Sequence, residues 1–324
     1  MQKLNSLLQI LVCPYCKKSL VKINDNLKCN QCNSDFKINN FGYFDFVIDK
    51  KAYTGHDFYY DRAALVQEHS GGRMYDMYLK PFQLREPAER ILDVGCGIGK
   101  IITSAINDGY DAYGIDLPTV SRYWSLRRND PNKFFHCNAT ELPFKDNFFD
   151  IVYSLGVIEH IGTFHGHCTL QNNYRELRQQ YANEILRVIK PNGRIIIACP
   201  NKSFPIDIQH AVRDQHSPKT LGFKIRAYIH KKTGMNIHPI WGKYHLLSYS
   251  EIKQLFCDKG GAQFCKHLTL RNYFNFDRID IDGYKRFLVP FIRILQFYVN
   301  YLGKNLPPNF LNPYVIVEIR KSGK

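Results

Sequence analysis

The 324-residue sequence has no run of about 18 apolar residues, the length that marks a membrane-spanning helix, so no such span is expected. Its first residues, MQKLNSLLQILVC, are too weakly apolar for an export signal, and no small-residue cleavage site follows them. Four of the ten cysteines stand as two CxxC pairs and the other six are scattered, so with no export signal a reducing cytoplasm is the expected compartment. Acidic residues are scarce, with 29 Asp+Glu against 44 Lys+Arg, a net charge of +15. What is present is ordinary for a globular chain: 44% hydrophobic and 23% charged residues exclude a disordered tail or a collagen-like fibre. The length suits about two domains with a sizeable core.

The positive charge is unevenly placed. Residues 1–50 carry 7 basic and 4 acidic side chains, residues 51–200 carry 17 of each, and residues 201–324 carry 20 and 8. Taken whole, the charge invites a nucleic-acid or anionic-membrane partner. Its concentration in the last third suggests different jobs along one chain.

Cys13, Cys16, Cys29 and Cys32 form two CxxC knuckles separated by 12 residues, a spacing that can set four thiolates around one zinc ion. Between them SLVKINDNLKC alternates about an Asn-Asp-Asn turn, as a hairpin does. Four thiolates leave no open position, so such a zinc is structural; four incidental thiols or a redox pair is the other reading. The stretch from Leu7 to Val47, with FKINNFGYFDF at its end, resembles the zinc-ribbon family that includes the activator subunit of tRNA and rRNA methyltransferases. The module either packs on the rest of the chain or holds a partner protein.

From Glu89 onward, short apolar runs alternate with helical patterns, which predicts a doubly wound α/β sheet. Strands are expected near 90–95, 111–115, 133–137, 150–155 and 193–199, and helices near 99–108, 119–129 and 173–189. The first strand runs into Asp93-Val94-Gly95-Cys96-Gly97-Ile98-Gly99-Lys100. Lys100 stands where G-x-G-x-x-G needs its third glycine, and Ile101 follows where a P-loop needs Ser or Thr. Asp116 ends the second strand 17 residues past Gly99, near the spacing at which a carboxylate accepts two ribose hydroxyls.

With LDVGCGIGK, GIDL, NATELPF…FFD and EILRVIKPNGR in that order, residues 89–201 resemble a class I S-adenosylmethionine-dependent methyltransferase of the type 11 kind, with a weaker tail to about Cys265. The resemblance implies a Rossmann-like sheet and cofactor contacts from Asp93, Gly95, Gly97, Gly99, Asp116, Leu117, Asn138, Ala139 and Ser154. Asp116 takes the ribose hydroxyls, and Leu117 and Ala139 flank the adenine. Asn138 stands where the family usually has Asp. Each has a structural alternative: Asp93 capping the loop, Asp116 as a turn residue before Pro118, Asn138 as a loop former, Leu117 and Ala139 as packing. The expected organisation is a zinc ribbon over 1–50, a linker and helical extension over 51–88, and the methyltransferase domain over 89–324, with lid insertions at about 201–245 and 271–312.

A sulfonium donor is already activated, so positioning carries much of the catalysis and a base matters only where the acceptor loses a proton. Glu159-His160 follows the fourth strand, where open α/β sheets present ligand-facing groups. His160 is the candidate base, with Glu159 beside it; a structural pair is the alternative. The block resembles the EH segment of quinone-biosynthesis O-methyltransferases, but Gly156 replaces their metal-binding Glu, so no catalytic metal is expected. The stretch Thr163–Cys168 reads as a polar insertion loop.

In the basic last third, Asp207, His210 and His245 are candidate substrate contacts within the lid. Ser248 with Glu251 reads as a helix cap. Residues 285–302, KRFLVPFIRILQFYVNYL, put Arg286, Arg293, Gln296 and Asn300 on one narrow stripe, which suits either a mostly buried helix or one lying in a membrane interface. A last strand is expected from Tyr314. Methyl transfer to a small-molecule or lipid-linked acceptor (isoprenoid, quinone or glycan) is the leading expectation, with a peripheral membrane association left open. An rRNA or tRNA base methyltransferase is the alternative, and a non-catalytic cofactor-binding subunit a third.

Overall fold

The computed structural model describes residues 7–47, 64, 67–68, 70–81, 90–164, 169–207, 209–210, 212, 220–271, 273, 289–302 and 312–323. Eleven strands share one sheet. The N-terminal module supplies β1 (Leu20–Ile23), β2 (Asn26–Cys29), β3 (Asp35–Ile38) and β4 (Phe44–Asp45). The central part supplies β5 (Arg90–Val94), β6 (Asp111–Asp116), β7 (Phe134–His136), β8 (Phe149–Leu155) and β9 (Ile189–Pro200). β12 (Phe264–His267) and β13 (Tyr314–Arg320) complete it, while β10 (Ile206–Asp207) and β11 (Asn236–Ile237) make a separate two-stranded antiparallel sheet.

The order is β1-β2-β3-β4-β7-β6-β5-β8-β9-β13-β12. From β4 through β9 neighbours run parallel, and β13 enters antiparallel between β9 and β12. This is the Rossmann-like arrangement expected from the alternating pattern. Strand alternation feeds two cores: Leu92 and Val94 enter one, with Tyr181 and Ile185 of the helix Tyr174–Val188. Ile91 enters the other, with Ile102 and Ala105 of the helix Lys100–Asn107. The expected helix over 119–129 is shorter, a turn at Pro118–Val120 followed by the helix Ser121–Leu126. The cap read at Ser248 is present, with Ser248 and Glu251 each holding the other's backbone N–H.

Of the two readings of the N-terminal module, the structure has it packed on the chain. β1 and β2 pair as a hairpin, and β4 joins β7 in parallel, with Phe46 N–H donating to His136 O at 2.7 Å. Leu11, Leu27, Phe36 and Phe46 belong to the same core as Ile115, Phe135 and Phe144. Lys17 Nζ meets Glu184 Oε2 at 2.6 Å, and Arg187 grips the same carboxylate. Glu184 also accepts from Leu142 N–H, so one carboxylate ties the ribbon, the helix and the loop before β8.

Residues 289–302 are helical, beginning next to Pro290 where a proline is tolerated; 285–288 lie outside the described residues. The mostly buried reading does not hold: Val299 is buried, but Phe291, Ile294, Phe297 and Tyr301 are exposed. No helix among the described residues is long and apolar enough to cross a membrane.

Candidate active site

The glycine-rich turn follows β5 directly. Gly95, Gly97 and Gly99 all adopt left-handed backbone (φ 80°, 52° and 81°), which excludes side chains without strain. A Cβ at Gly95 would overlap Val157, and one at Gly97 would overlap the Gln67 amide. Asp116 closes the turn from the neighbouring strand. Its Oδ2 accepts from Gly97 N–H and its Oδ1 from Leu117 N–H, each at 2.7 Å. Those bonds use about two of a carboxylate's four lone-pair directions, leaving acceptor capacity for a diol. Burial nevertheless pushes Asp116 up to about 6. Asp93 is buried one strand away, and burial, then the charge of Asp116, push it up to about 8. Asp93 is almost wholly out of water while Asp116 stays partly exposed, so a cation arriving beside them would favour ionisation of both.

Leu117 follows Asp116 directly and Ala139 lies in the loop after β7, both half-buried, whereas Asn138 is committed locally, its Oδ1 accepting from Thr140 N–H at 3.1 Å. Ser154 lies wholly inside, donating to Val94 O at 3.2 Å and accepting from Tyr181 OH at 2.7 Å. Three residues that sequence reasoning missed support the turn. Gln67 Oε1 accepts from Ile98 N–H at 3.0 Å. Trp124 Nε1 donates to Gly97 O at 2.7 Å, and Trp124 stacks on His136 with centroids 4.3 Å apart. A Trp in a helix beyond the acidic strand carried no signal of this partnership.

The second pole assembles at the end of β8. Glu159 and His160 form a single turn after Gly156. The β10–β11 strand pair brings Asp207 against them. Asp207 accepts from the backbone N–H groups of Gln209 and His210, both at 3.0 Å, and from His210 Nδ1 at 3.1 Å. His245 Nε2 stands 3.3 Å from the same carboxylate. On its far side His210 Nε2 faces His160 Nε2 at 3.3 Å. Residues read separately, as a catalytic pair and as three substrate contacts, thus form one cluster. Burial alone would raise Asp207, but the two imidazoles outweigh it and hold the carboxylate well below its usual range. Burial opposes protonation of His210, yet the Asp207 bond and charge raise it. Burial pushes His245 down to about 4. Glu159 is fully buried, its two carboxylate oxygens find no hydrogen-bond partner among the described residues, and it is pushed up to about 7 by burial. Of the insertion loop, Thr163 and Phe164 are placed, while 165–168 lie outside the described residues.

In the N-terminal module the four cysteines converge. Cys13 and Cys32 sulfurs are 3.5 Å apart, Cys16 and Cys29 sulfurs 3.3 Å, and all four lie within 4.8 Å of one another with no disulfide. Four sulfurs on zinc at 2.3 Å stand about 3.8 Å apart, so the donor set fits a tetrahedral ion.

Residues 92–197 match the family model described as a methyltransferase domain. The segment is a class I S-adenosylmethionine-dependent methyltransferase domain. A mouse protein named Probable tRNA methyltransferase 9B is 31% identical over 117 residues, 36% of this chain and 22% of its own length. The demethylmenaquinone methyltransferase of Beutenbergia cavernae is 31% identical over 114 residues, 35% of this chain and 41% of its own. The chain therefore spans less than half the length of these relatives. Among solved structures, phosphoethanolamine N-methyltransferase 2 of Haemonchus contortus, in complex with phosphomonomethylethanolamine and S-adenosylhomocysteine, matches with a TM-score of 0.50 at 19% identity, covering 85% of this chain and 60% of that one. That likeness supports the fold of the methyltransferase domain.

Proposed function

We propose that the chain transfers a methyl group from S-adenosylmethionine to a small-molecule or lipid-linked acceptor. The observation that carries this reading is Asp116, half-buried at the glycine turn with both oxygens fixed by backbone N–H groups and lone pairs to spare. Asp116 would take the ribose hydroxyls, Leu117 and Ala139 the adenine faces, and Asp93 with the glycine turn the methionine end. S-adenosylmethionine supplies, when bound, an electrophilic methyl group on a sulfonium.

The histidine cluster would handle the acceptor. His160 receives the acceptor's proton where one is lost, and His210, anchored through Nδ1 on Asp207, shares the resulting charge. His245 keeps the Asp207 carboxylate turned inward from its other side. The four cysteines would hold a structural zinc that fastens the ribbon to β7.

The test is methyl transfer from labelled S-adenosylmethionine into fractionated extract. Label in a lipid or small-molecule fraction, lost with Asp116→Ala, supports the proposal; label in RNA would replace its acceptor. Unchanged S-adenosylmethionine affinity in Asp116→Ala by calorimetry would remove the cofactor assignment.

A further inference from the structure

Two helices outside the main sheet leave apolar side chains exposed. Both lie in insertions at the end of β9, where Pro200 pairs with Tyr314, the first residue of β13. The helix Leu221–Thr233 has no buried residue. Leu221, Ile225 and Tyr228, spaced i, i+4, i+7, share one exposed face, with Leu221 at 74%. Lys224, Lys231 and Lys232 are exposed beside it. Arg226 instead turns inward, bonding Ile237 O and Asn236 Oδ1 and fastening the helix to the β10–β11 strand pair. Trp241, on the loop beyond, is 81% exposed. Across residues 215–250 the sequence has six Lys or Arg and no Asp or Glu. In the second insertion Ile294, Phe297 and Tyr301 form another outward stripe, while Val299 anchors the opposite side in the core with Tyr273 and Tyr314.

We infer that these two faces form one docking surface for an anionic lipid bilayer. Lysines bracketing an apolar stripe, with an exposed Trp and Tyr, combine the two attractions that an anionic interface offers, headgroup charge and a shallow apolar phase. Nucleic acid would match the lysines but offers no apolar phase for Ile225, Ile294 and Phe297. A protein partner or second copy would need acidic groups to face this patch. Asn236, on the strand pair that Arg226 grips, donates to His210 O at 2.8 Å, so the docked lid is joined directly to the histidine cluster. A bilayer-embedded acceptor would therefore meet the site at the membrane surface. The inference goes beyond the methyl-transfer reading, and vesicle binding needs no turnover, so the two fail separately.

The test uses the full chain with vesicles of phosphatidylcholine alone or mixed with phosphatidylglycerol, at low and high salt. Trp124 is fully buried and Trp241 exposed, so an emission blue shift on binding reports Trp241. Expected are co-sedimentation with the anionic vesicles, weakening with salt, and a blue shift. Lys231→Ala with Lys232→Ala should lower the partition coefficient about thirtyfold at roughly a factor of five per lysine. Ile225→Ser with Tyr228→Ser should abolish the blue shift while S-adenosylmethionine affinity holds, which shows that the variants fold. No binding to anionic vesicles, or binding that both double variants leave unchanged, overturns the inference. Salt-sensitive RNA binding or self-association in place of vesicle binding overturns it in favour of those partners.

Discussion

Trp124 donates its indole N–H to the carbonyl of Gly97 at 2.7 Å, and Gly97 in turn donates its own N–H to Asp116. The peptide groups on both sides of one glycine are thereby held by side chains from two elements. Trp124 is itself sandwiched: its ring lies on His136 and receives the edge of Tyr43 from the N-terminal module. Asn39 of the same module donates to Ser121 Oγ at 3.0 Å, and Ser121 Oγ meets His136 Nε2 at 2.7 Å. A second route runs from Tyr43 OH to Asn129 O, and from Asn129 Nδ2 to Ile98 O. The cysteine-bearing module thus reaches the glycine turn through two short chains of contacts.

Trp124→Phe keeps an aromatic ring but deletes the N–H donor together with part of the buried ring volume. Gly97 O then keeps only the weak Cys96 thiol contact at 3.8 Å, and the lost N–H bond costs about 1–3 kcal/mol of stability beyond the cavity left by the smaller ring. Because the turn loosens where the nucleotide would bind, S-adenosylmethionine affinity should fall about three- to tenfold. Calorimetric titration and denaturant melts check both. Full affinity in a destabilised variant would confine Trp124 to packing.

Asn39→Asp separates the module's two jobs. The carboxylate still accepts from Phe41 and Tyr43 N–H, as Asn39 Oδ1 does at 3.0 and 3.1 Å, but it cannot donate to Ser121. The expected loss is about 1 kcal/mol, with a parallel fall in cofactor affinity.

Metal content tests the cysteine cluster directly. Elemental analysis should find one zinc ion per chain, and Cys16→Ser or a chelator should remove it. Without it β4 loses its anchor and the edge of β7 opens, so melting falls by about 2–4 °C per kcal/mol lost and aggregation follows. A chain that melts unchanged without metal would make the four thiols incidental.

Much of this was legible in the residues. Asp116, the glycine turn and the CxxC pairs declare themselves by spacing over short stretches, because local geometry fixes what they can do. The central strands declare themselves because burial on both faces makes them continuously apolar. Trp124, His136 and Gln67 stayed silent, since their roles arise from neighbours 27 to 31 residues away or on another strand. Asp207 was visible as a polar lid residue, but its convergence with His160 depends on pairing two two-residue strands that a helix separates, each too short to leave a period. The outward face of 289–302 was ambiguous for a different reason: a wide apolar surface looks the same in sequence whether protein or solvent covers it.

Asp207→Asn should lower kcat more than it raises KM, because the proposed role of Asp207 is to position His210 and stabilise its charge. The raised His210 then drops back toward its ordinary value, so the acid limb of the rate profile moves to lower pH. A merely structural Asp207 would change the rate without moving that limb.

Glu159 gives the sharpest pH signature. Its folded value is about 7 against an ordinary 4.5, so on raising the pH the unfolded chain ionises first. The unfolded state then binds fewer protons than the folded one, and stability declines through the interval from about 4.5 to 7, by about 3 kcal/mol in all. Glu159→Gln cannot ionise and lacks that decline. Denaturant melts at pH 5 should find variant and parent close together, and melts at pH 8 should find the variant more stable by up to about 3 kcal/mol. Parallel stability curves across that interval would mean that Glu159 finds a cationic partner in solution and stays charged when buried.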